Sequence, residues 1–338
     1  MSANLPLGKI PPELLKQVLS NPPVRDPRLI LGPGIGLDCA VVDMGDRYLV
    51  LKSDPITFTS DEIGWYAVQV NANDIATTGA VPKWFLATLL LPESLTTEED
   101  VLRIAEQISQ ACAALGVSLA GGHTEVTRGV KQPIVAGTMV GEVSREGLIT
   151  PKGASAGDEI LLTKSVPIEA TAILARERPE ALAGSLSAQE LAEAQNYLLR
   201  PGISVLHEAR LAVAIGGVTA MHDPTEGGLL SALWELAEAC GRTLQIDIEE
   251  IPVTSLSKII CQAFKIDPLK AIASGALLLA VRRGQAGRIQ QSLAQNGIPC
   301  TAIGRIESGP AEVVTWSRTG WVSLPRPLQD ELARVLKA

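Results

Sequence analysis

The segment Val70–Pro82, VNANDIATTGAVP, constrains this chain more than any other. It continues a helical pattern in which Trp65, Val68, Ala72, Ile75 and Ala76 recur at spacings of three and four, an apolar stripe. Asn71, Asp74 and Thr78 recur at the same spacing on another face, with Asn73 beside them. Asparagine is a poor helix former, so two amides and a carboxylate within four positions need a reason. Either this is a solvated helix face or Asp74 is aimed at a ligand. Thr59 and Glu62 have the spacing of a capping box for the start of the helix, and Gly79 and Pro82 stop it.

Around that segment the chain has 338 residues, 46% of them hydrophobic and 20% charged, enough for a sizeable core in two domains or one large one. A net charge of −8 lacks the basic footprint of a nucleic-acid binder. Five scattered cysteines without a C-x-x-C pair argue against a zinc site or disulfide framework, and for reduced thiols in a cytoplasm. The N-terminal stretch lacks the basic-then-apolar order of a signal peptide. The run WFLATLLLP is too short to span a bilayer. A soluble cytoplasmic protein is expected, with neither nucleic acid nor membrane as a partner.

Strands and helices alternate along the whole chain. A short helix and a Pro-rich lead-in precede strands at 39–43 and 47–53, and Pro55 is expected to end pairing at Asp54. WFLATLLLP reads as a buried strand, followed by an amphipathic helix with Thr96 and Glu99 as its capping box. VSLAGGHTEVT and PIVAGTMVGEV read as strands, and heavy punctuation in TPKGASAGDEI marks a domain boundary. Expected domains are therefore 1–152 and 153–338. The second opens with a strand at 159–163 and continues in mixed order through VTAMHDP, the helix GGLLSALWELAEACG and closing strands CTAIGRI and EVVTWSR.

Candidate chemistry sits where carboxylates fall at strand ends and beside glycines: Asp38, Asp54, Asp74 and Asp223. Hard cations such as Mg²⁺ take oxygen ligands, commonly one or two carboxylates with phosphates and water. Each residue also has a plainer reading. Asp38 caps a turn, Asp54 terminates a strand, and Asp223 is the N-cap of the helix after DPTEGG. AGGHTEVT adds two glycines that permit close backbone approach to a ligand, then His123, Thr124 and Glu125. A lone histidine is more often structural than a ligand. No G-x-x-x-x-G-K-[ST] and no helix-opening G-x-G-x-x-G occurs, so a bound nucleotide would use neither standard cradle. Lys52, Lys131 and Lys164 are possible cationic helpers, read first as surface lysines.

Taken in order, GIGLDCAVV, KSDPITF, VNANDIATTGAVP, AGGHTEV, GDEILLTK and DPTEGGLLSALWELAEACG resemble the successive motifs of the aminoimidazole ribonucleotide (AIR) synthase superfamily, the PurM-like proteins. The resemblance runs from about Gly32 to Arg282 and is nearest to the hydrogenase maturation type, HypE. It implies a two-domain α/β and α+β fold. The N-terminal domain would form a dimeric β-barrel with its twin, and a C-terminal α+β domain would complete a site for ATP and Mg²⁺. By the same resemblance Asp54, Asp74 and Asp223 are metal-site aspartates, and Asp74 and His123 take catalytic positions. Asp38, Asn71, Asn73, Gly121, Gly122, Thr124 and Glu125 belong to the nucleotide site.

What it implies chemically is ATP-dependent phosphorylation of an amide or carbonyl oxygen on a small-molecule or protein substrate. Other maturation factors are possible partners. Two other readings stand beside it: a small-metabolite kinase resembling thiamine-monophosphate kinase, and a non-catalytic ATP-binding partner in metallocentre assembly. Three departures from the family pattern qualify it. The last cysteine is Cys300, placed inside a strand, so no terminal cysteine receives a carbamoyl group. Leu37 replaces the first residue of an Asp-Asp pair whose second member is Asp38. His123 stands where an acidic residue follows the Gly-Gly in AIR synthase and the kinase, leaving Glu125 or water to serve instead.

Overall fold

The structure, a computed structural model, describes residue 5 and residues 7–20 and 26–336. The Pro-rich stretch at 21–25 lies outside the described residues. Two compact units emerge. One holds Asp26–Gly32 and Cys39–Leu148; the other holds the described residues among the first 25, Pro33–Asp38, and the chain from Ile149 on.

The first unit is a six-stranded sheet under two helices. Its strands are β1 (Leu29–Leu31), β2 (Ala40–Asp43), β3 (Arg47–Ile56), β4 (Val81–Pro92), β5 (Ser118–Thr127) and β6 (Ile134–Ser144), ordered β1-β2-β3-β6-β4-β5. All neighbours run antiparallel except β4 and β5. The helices are α2 (Ile63–Thr77) and α3 (Glu98–Leu115), while α1 (Pro12–Leu19) belongs to the other unit. Strand β6 alternates buried and half-buried positions, and its buried face carries Val135, Gly137, Met139, Gly141 and Val143. The two glycines let α2 press onto the sheet. A Cβ at Gly137 would meet Asn71 Nδ2 at 2.5 Å, and one at Gly141 would meet Ile75 Cγ2 at 2.4 Å.

That close approach rules out one of the two readings of α2, and two other expectations fail beside it. Helix α2 is buried all round, with only Trp65 among its fifteen residues not buried, so its polar face is not solvated. No capping box forms at its start. Glu62 takes a left-handed conformation, Thr59 Oγ1 donates to the Asp61 carbonyl, and Gln107 of α3 accepts from Gly64 N–H instead. Nor does Pro55 end pairing: β3 continues to Ile56 opposite Val135. Beyond Leu51 the strand has β6 alone as a neighbour, so the missing proline N–H leaves no second ladder short of a donor. The capping box of α3 is one residue later than expected, Thr97 with Asp100, because the Thr96 hydroxyl is given to the Pro92 carbonyl.

The second unit is a seven-stranded sheet ordered β13-β12-β9-β11-β7-β10-β8. Its strands are β7 (Glu159–Thr163), β8 (Val218–His222), β9 (Thr243–Ile246), β10 (Leu278–Val281), β11 (Cys300–Glu307), β12 (Glu312–Ser317) and β13 (Gly320–Ser323). Its helices are α4 (Ile168–Glu177), α5 (Pro179–Leu182), α6 (Ala188–Gln195), α7 (Leu206–Ile215), α8 (Gly228–Cys240), α9 (Ser255–Ala263), α10 (Ala286–Gln295) and α11 (Glu331–Val335). Helix α8 packs Leu229, Leu233 and Leu236 into one apolar cluster with Ile160, Leu162 and Leu278 of the sheet. Cys300 opens β11 rather than lying inside it. The elements absent from the sequence reading, β1, α5, β13 and α11, are three to five residues long, too short for periodicity to register.

Candidate functional site

In the six-stranded unit, β3 and α2 bring Asp54 and Asp74 onto one cation, and that cation is Lys52. Its Nζ lies 3.0 Å from Asp54 Oδ2 and 3.3 Å from Asp74 Oδ2. The Lys52 side chain is 10% exposed and that of Asp74 2%, whereas Asp54 is 36% exposed and opens the cage to solvent. Lys52 is therefore not a surface lysine. Asn71 is a clamp on the same strand: its Oδ1 accepts from Asp54 N–H at 2.9 Å, and its Nδ2 donates to the carbonyls of Asp54 and Ala67. Asn73 is fully buried in the same helix. The Asp74 carbonyl accepts from Cys39 Sγ and Thr77 Oγ1, which ties the helix to the loop entering β2.

Strand β5 holds the glycine-rich motif at the sheet edge. Gly121 and Gly122 have φ of +149° and +147°, and a Cβ at Gly122 would sit 1.9 Å from the Ala87 carbonyl oxygen. Only glycine fits there. Beside Gly121 no atom comes within 4 Å of the same position, so its backbone stands open. Gly121, Gly122, His123 and Thr124 line a cavity of about 220 Å³ together with Leu89 and Ile108. His123 is exposed, with Nε2 3.2 Å from Glu125 Oε2.

The seven-stranded unit holds Asp38 and Asp223. Asp223 follows β8 and is fully buried, but it caps no helix. Gly227, at φ +85°, precedes α8, and its N–H donates to Asp330 Oδ2 at 2.6 Å. Asp38 meets the imidazole of His222, with Oδ2 3.3 Å from Nδ1, and Glu235 Oε2 lies 3.0 Å from Nε2 of the same ring. Glu235 is also 3.2 Å from Arg326 Nη2 and 3.6 Å from Lys9 Nζ. Lys9, Glu235 and Arg326 border a cavity of about 210 Å³ that Ile10, Pro327 and Leu328 also line. Lys164 is likewise buried rather than on the surface, paired with Glu208 at 2.8 Å and donating to the carbonyls of Gly202 and Ser204.

Burial by itself would strip the His222 proton. The carboxylates of Asp38, Glu235 and Asp223 outweigh it and lift the group to about 9. Burial likewise opposes charge on Glu235, yet Lys9, His222 and Arg326 hold it well below the ordinary carboxylate range. Glu169 and Asp330 go the other way, both pushed up to about 7 by burial, with Asp330 and Asp223 adding repulsion at Glu169.

Among the described residues, no group of three or more His, Cys, Asp or Glu side chains is placed to hold a metal ion. None of their helices is long and apolar enough to cross a membrane. Sequence reasoning named Asp38, Asp54 and Asp74 but missed Lys52 as the caged cation between the last two, and His222 beside Asp38 with Glu235 and Arg326 behind it. The signal for Lys52 was its place two residues before Asp54 on one strand face. None existed for Arg326.

The family model described as AIR synthase related protein, N-terminal domain, matches residues 36–143, and its C-terminal counterpart matches residues 155–317. The chain belongs to the AIR synthase related family. A hydrogenase expression/formation protein of Methanocaldococcus jannaschii is 28% identical over 97% of this chain and 97% of its own length. Thiamine-monophosphate kinase of Pyrococcus horikoshii is 29% identical over 81% of this chain and 84% of its own. The crystal structure of the hydrogenase maturation protein HypE in complex with ATP shares the fold, with a TM-score of 0.71 at 22% identity over 94% of this chain and 91% of that one. AIR synthase related members thus include both kinds of relative, and the two-domain PurM-like fold expected from the motifs is the fold observed.

Proposed function

We propose that this AIR synthase related protein is an ATP- and Mg²⁺-dependent enzyme of the HypE type, which activates an amide or carbonyl oxygen by phosphoryl transfer. The observation that carries the proposal is the convergence of Asp54 and Asp74 on one cation. Two hard carboxylates, one open to solvent, fit the donor set of Mg²⁺, which takes its remaining ligands from phosphate and water. When bound, the metal would neutralise phosphate charge. Asp54 and Asp74 would hold it, with Asp223 assigned to the same role in the other unit.

The chain's own groups do the rest. Asn71 fixes the Asp54 backbone, so the carboxylate is presented from a rigid strand. The open backbone at Gly121 and the cavity beside Gly122 and Thr124 suit a phosphate chain, with His123 in its lining and Glu125 paired to that ring. Residues 1–152 would form the nucleotide-binding and dimerisation domain and 153–338 the C-terminal AIR-synthase-like domain. A second copy is the proposed partner of β5, the terminal strand, nine of whose ten residues are exposed beside exposed Trp84 and Leu86 on β4. Five free thiols, three of them buried, fit the reducing cytoplasm we propose as its compartment.

The test is calorimetric titration of ATP with and without Mg²⁺ into the wild-type protein and Asp74→Asn, followed by phosphate release over hours. Mg-dependent binding that weakens in the variant supports the assignment; equal affinity in both removes Asp74 from the site. The likeness to thiamine-monophosphate kinase favours a second reading, a kinase acting on a small phosphorylated metabolite, and transfer of labelled phosphate to such a metabolite separates the two. Binding with no turnover, even with candidate partners added, would instead indicate a non-catalytic partner in metallocentre assembly.

A further inference from the structure

Two distant segments of the seven-stranded unit meet on one imidazole, and two more grip the carboxylate behind it. His222, at the end of β8, is buried with Asp38 on Nδ1 and Glu235 on Nε2. The loop carrying Asp38 lies directly on α8. Gly36 has φ of +68°, and a Cβ there would stand 2.3 Å from the Glu235 carbonyl oxygen. From the other side Glu235 is gripped by Arg326, of the C-terminal segment, and Lys9, of the N-terminal one. Those segments are themselves fastened. Lys9 N–H donates to Glu226 Oε1 at 2.6 Å, and Gln329 Nε2 donates to the Leu7 carbonyl at 2.9 Å.

We propose that His222 is a positioning residue that acts through Asp38, and that Lys9 and Arg326 steady it through Glu235. Asp38 is 21% exposed at its side chain, so one oxygen rests on the ring while the carboxylate keeps a solvent-facing side. The imidazole is hydrogen-bonded through Nε2 to Glu235, which sets its Nδ1 3.3 Å from the Asp38 carboxylate as an ion-pair partner and biases the tilt of that carboxylate before any ligand arrives. Pre-orientation of this kind spares the bound state the loss of side-chain freedom. Carboxylate and imidazole partners behind a ligand-holding group commonly change affinity or activity by about 10–100-fold when removed. The inference rests on the reading of Asp38 as a nucleotide-site residue and goes beyond it, since no motif pointed to His222 or Glu235.

A double-mutant cycle in Mg-ATP affinity tests it, with calorimetric Kd values for wild type, Asp38→Asn, His222→Gln and the double variant, and thermal midpoints recorded for all four. Expected is a loss of about 10-fold for each single variant and no further loss in the double, because both remove one pre-set carboxylate. A general loss of stability would not produce that coupling. Multiplicative losses, about 100-fold in the double, overturn the inference. So does unchanged affinity in His222→Gln when Asp38→Asn is weakened, and in that case the nucleotide reading survives. If Asp38→Asn binds Mg-ATP like wild type, the nucleotide reading of Asp38 itself fails. Should His222→Gln not fold, Glu235→Gln, nearly isosteric and not at the ligand, carries the same test, with coupling to Asp38→Asn expected at smaller amplitude and independence overturning it.

Discussion

The two units solve one electrostatic problem with different hardware. In the six-stranded unit a buried cation, Lys52, lies between Asp54 and Asp74; in the seven-stranded unit a buried cation, His222, lies between Asp38 and Glu235. Lysine is a point charge on a flexible four-carbon stem, and one of its two carboxylates opens to water. Histidine is a short rigid ring whose two nitrogens face opposite ways, and the Glu235 on its far side is locked by Arg326 and Lys9. It cannot leave. The first arrangement suits a place where cations come and go, the second a place where a carboxylate must hold still.

The largest expected effect that would break this contrast comes from Lys52→Met. Stripping the cation from a 2% exposed carboxylate should cost about 3–5 kcal/mol in urea denaturation. The double variant Lys52→Met/Asp74→Asn should recover most of it, because no buried charge remains. A single-variant loss below about 1 kcal/mol would show that the lysine is no more than a surface ion pair.

Raising the pH should sharpen the difference in the other unit. His222 has its folded-state value raised to about 9, so its contribution is complete below the ordinary histidine value and is lost as the pH climbs through 9. Glu169 and Asp330, raised to about 7, add losses in the same direction at lower pH, from their ordinary carboxylate range up to 7. Thermal midpoints should therefore fall steadily from pH 5 to 9, each group contributing on the order of 1–3 kcal/mol. Glu169→Gln should flatten the part below pH 7 and leave the His222 part intact. A midpoint that rises over that range would contradict the signs of all three.

Asn71→Ala removes the clamp on the Asp54 backbone and should destabilise by about 1–3 kcal/mol while loosening Mg-ATP binding. Retained affinity would mean that Asp54 needs no rigid strand behind it. Least of all, Lys16→Ala deletes an exposed pair with Glu238 and should change stability by less than about 0.5 kcal/mol. It serves as the charge-deletion control for the caged cations.

How much of this was legible in the sequence differs between the two cages. Asp74 and Asn71 were visible because polar residues at helical spacing interrupt an apolar pattern. What hid their surroundings was the pair Gly137 and Gly141, 66 residues further along the chain from Asn71 and Ile75 but directly under α2, which bury a face whose sequence left the solvated reading open. Lys52 was misread because a lysine in a strand is ordinarily solvated, and only the tertiary fold supplies two carboxylates to bury it. His222 had no local signature. Its partners come from a loop before it and a helix after it, the helix residue in turn held from both ends of the chain, and no periodicity connects those places. Capping boxes were placed one residue off or where none forms, since neighbouring hydroxyls and helices compete for the same N–H groups.

The interleaving of the two units along the chain has a consequence in time. Lys9 and Glu226, which meet in the seven-stranded unit, are 217 positions apart. During synthesis the six-stranded unit is complete at Leu148, while the seven-stranded unit waits for Arg326. At about 5–20 residues per second that interval is roughly 10–40 s. Through it the short segment Pro33–Asp38 is tethered to a finished neighbour but has nothing of its own to fold against. The clamp on Asp38 is thus among the last contacts the newborn chain makes, and a slow-refolding phase that tracks its closure is expected from its long loop.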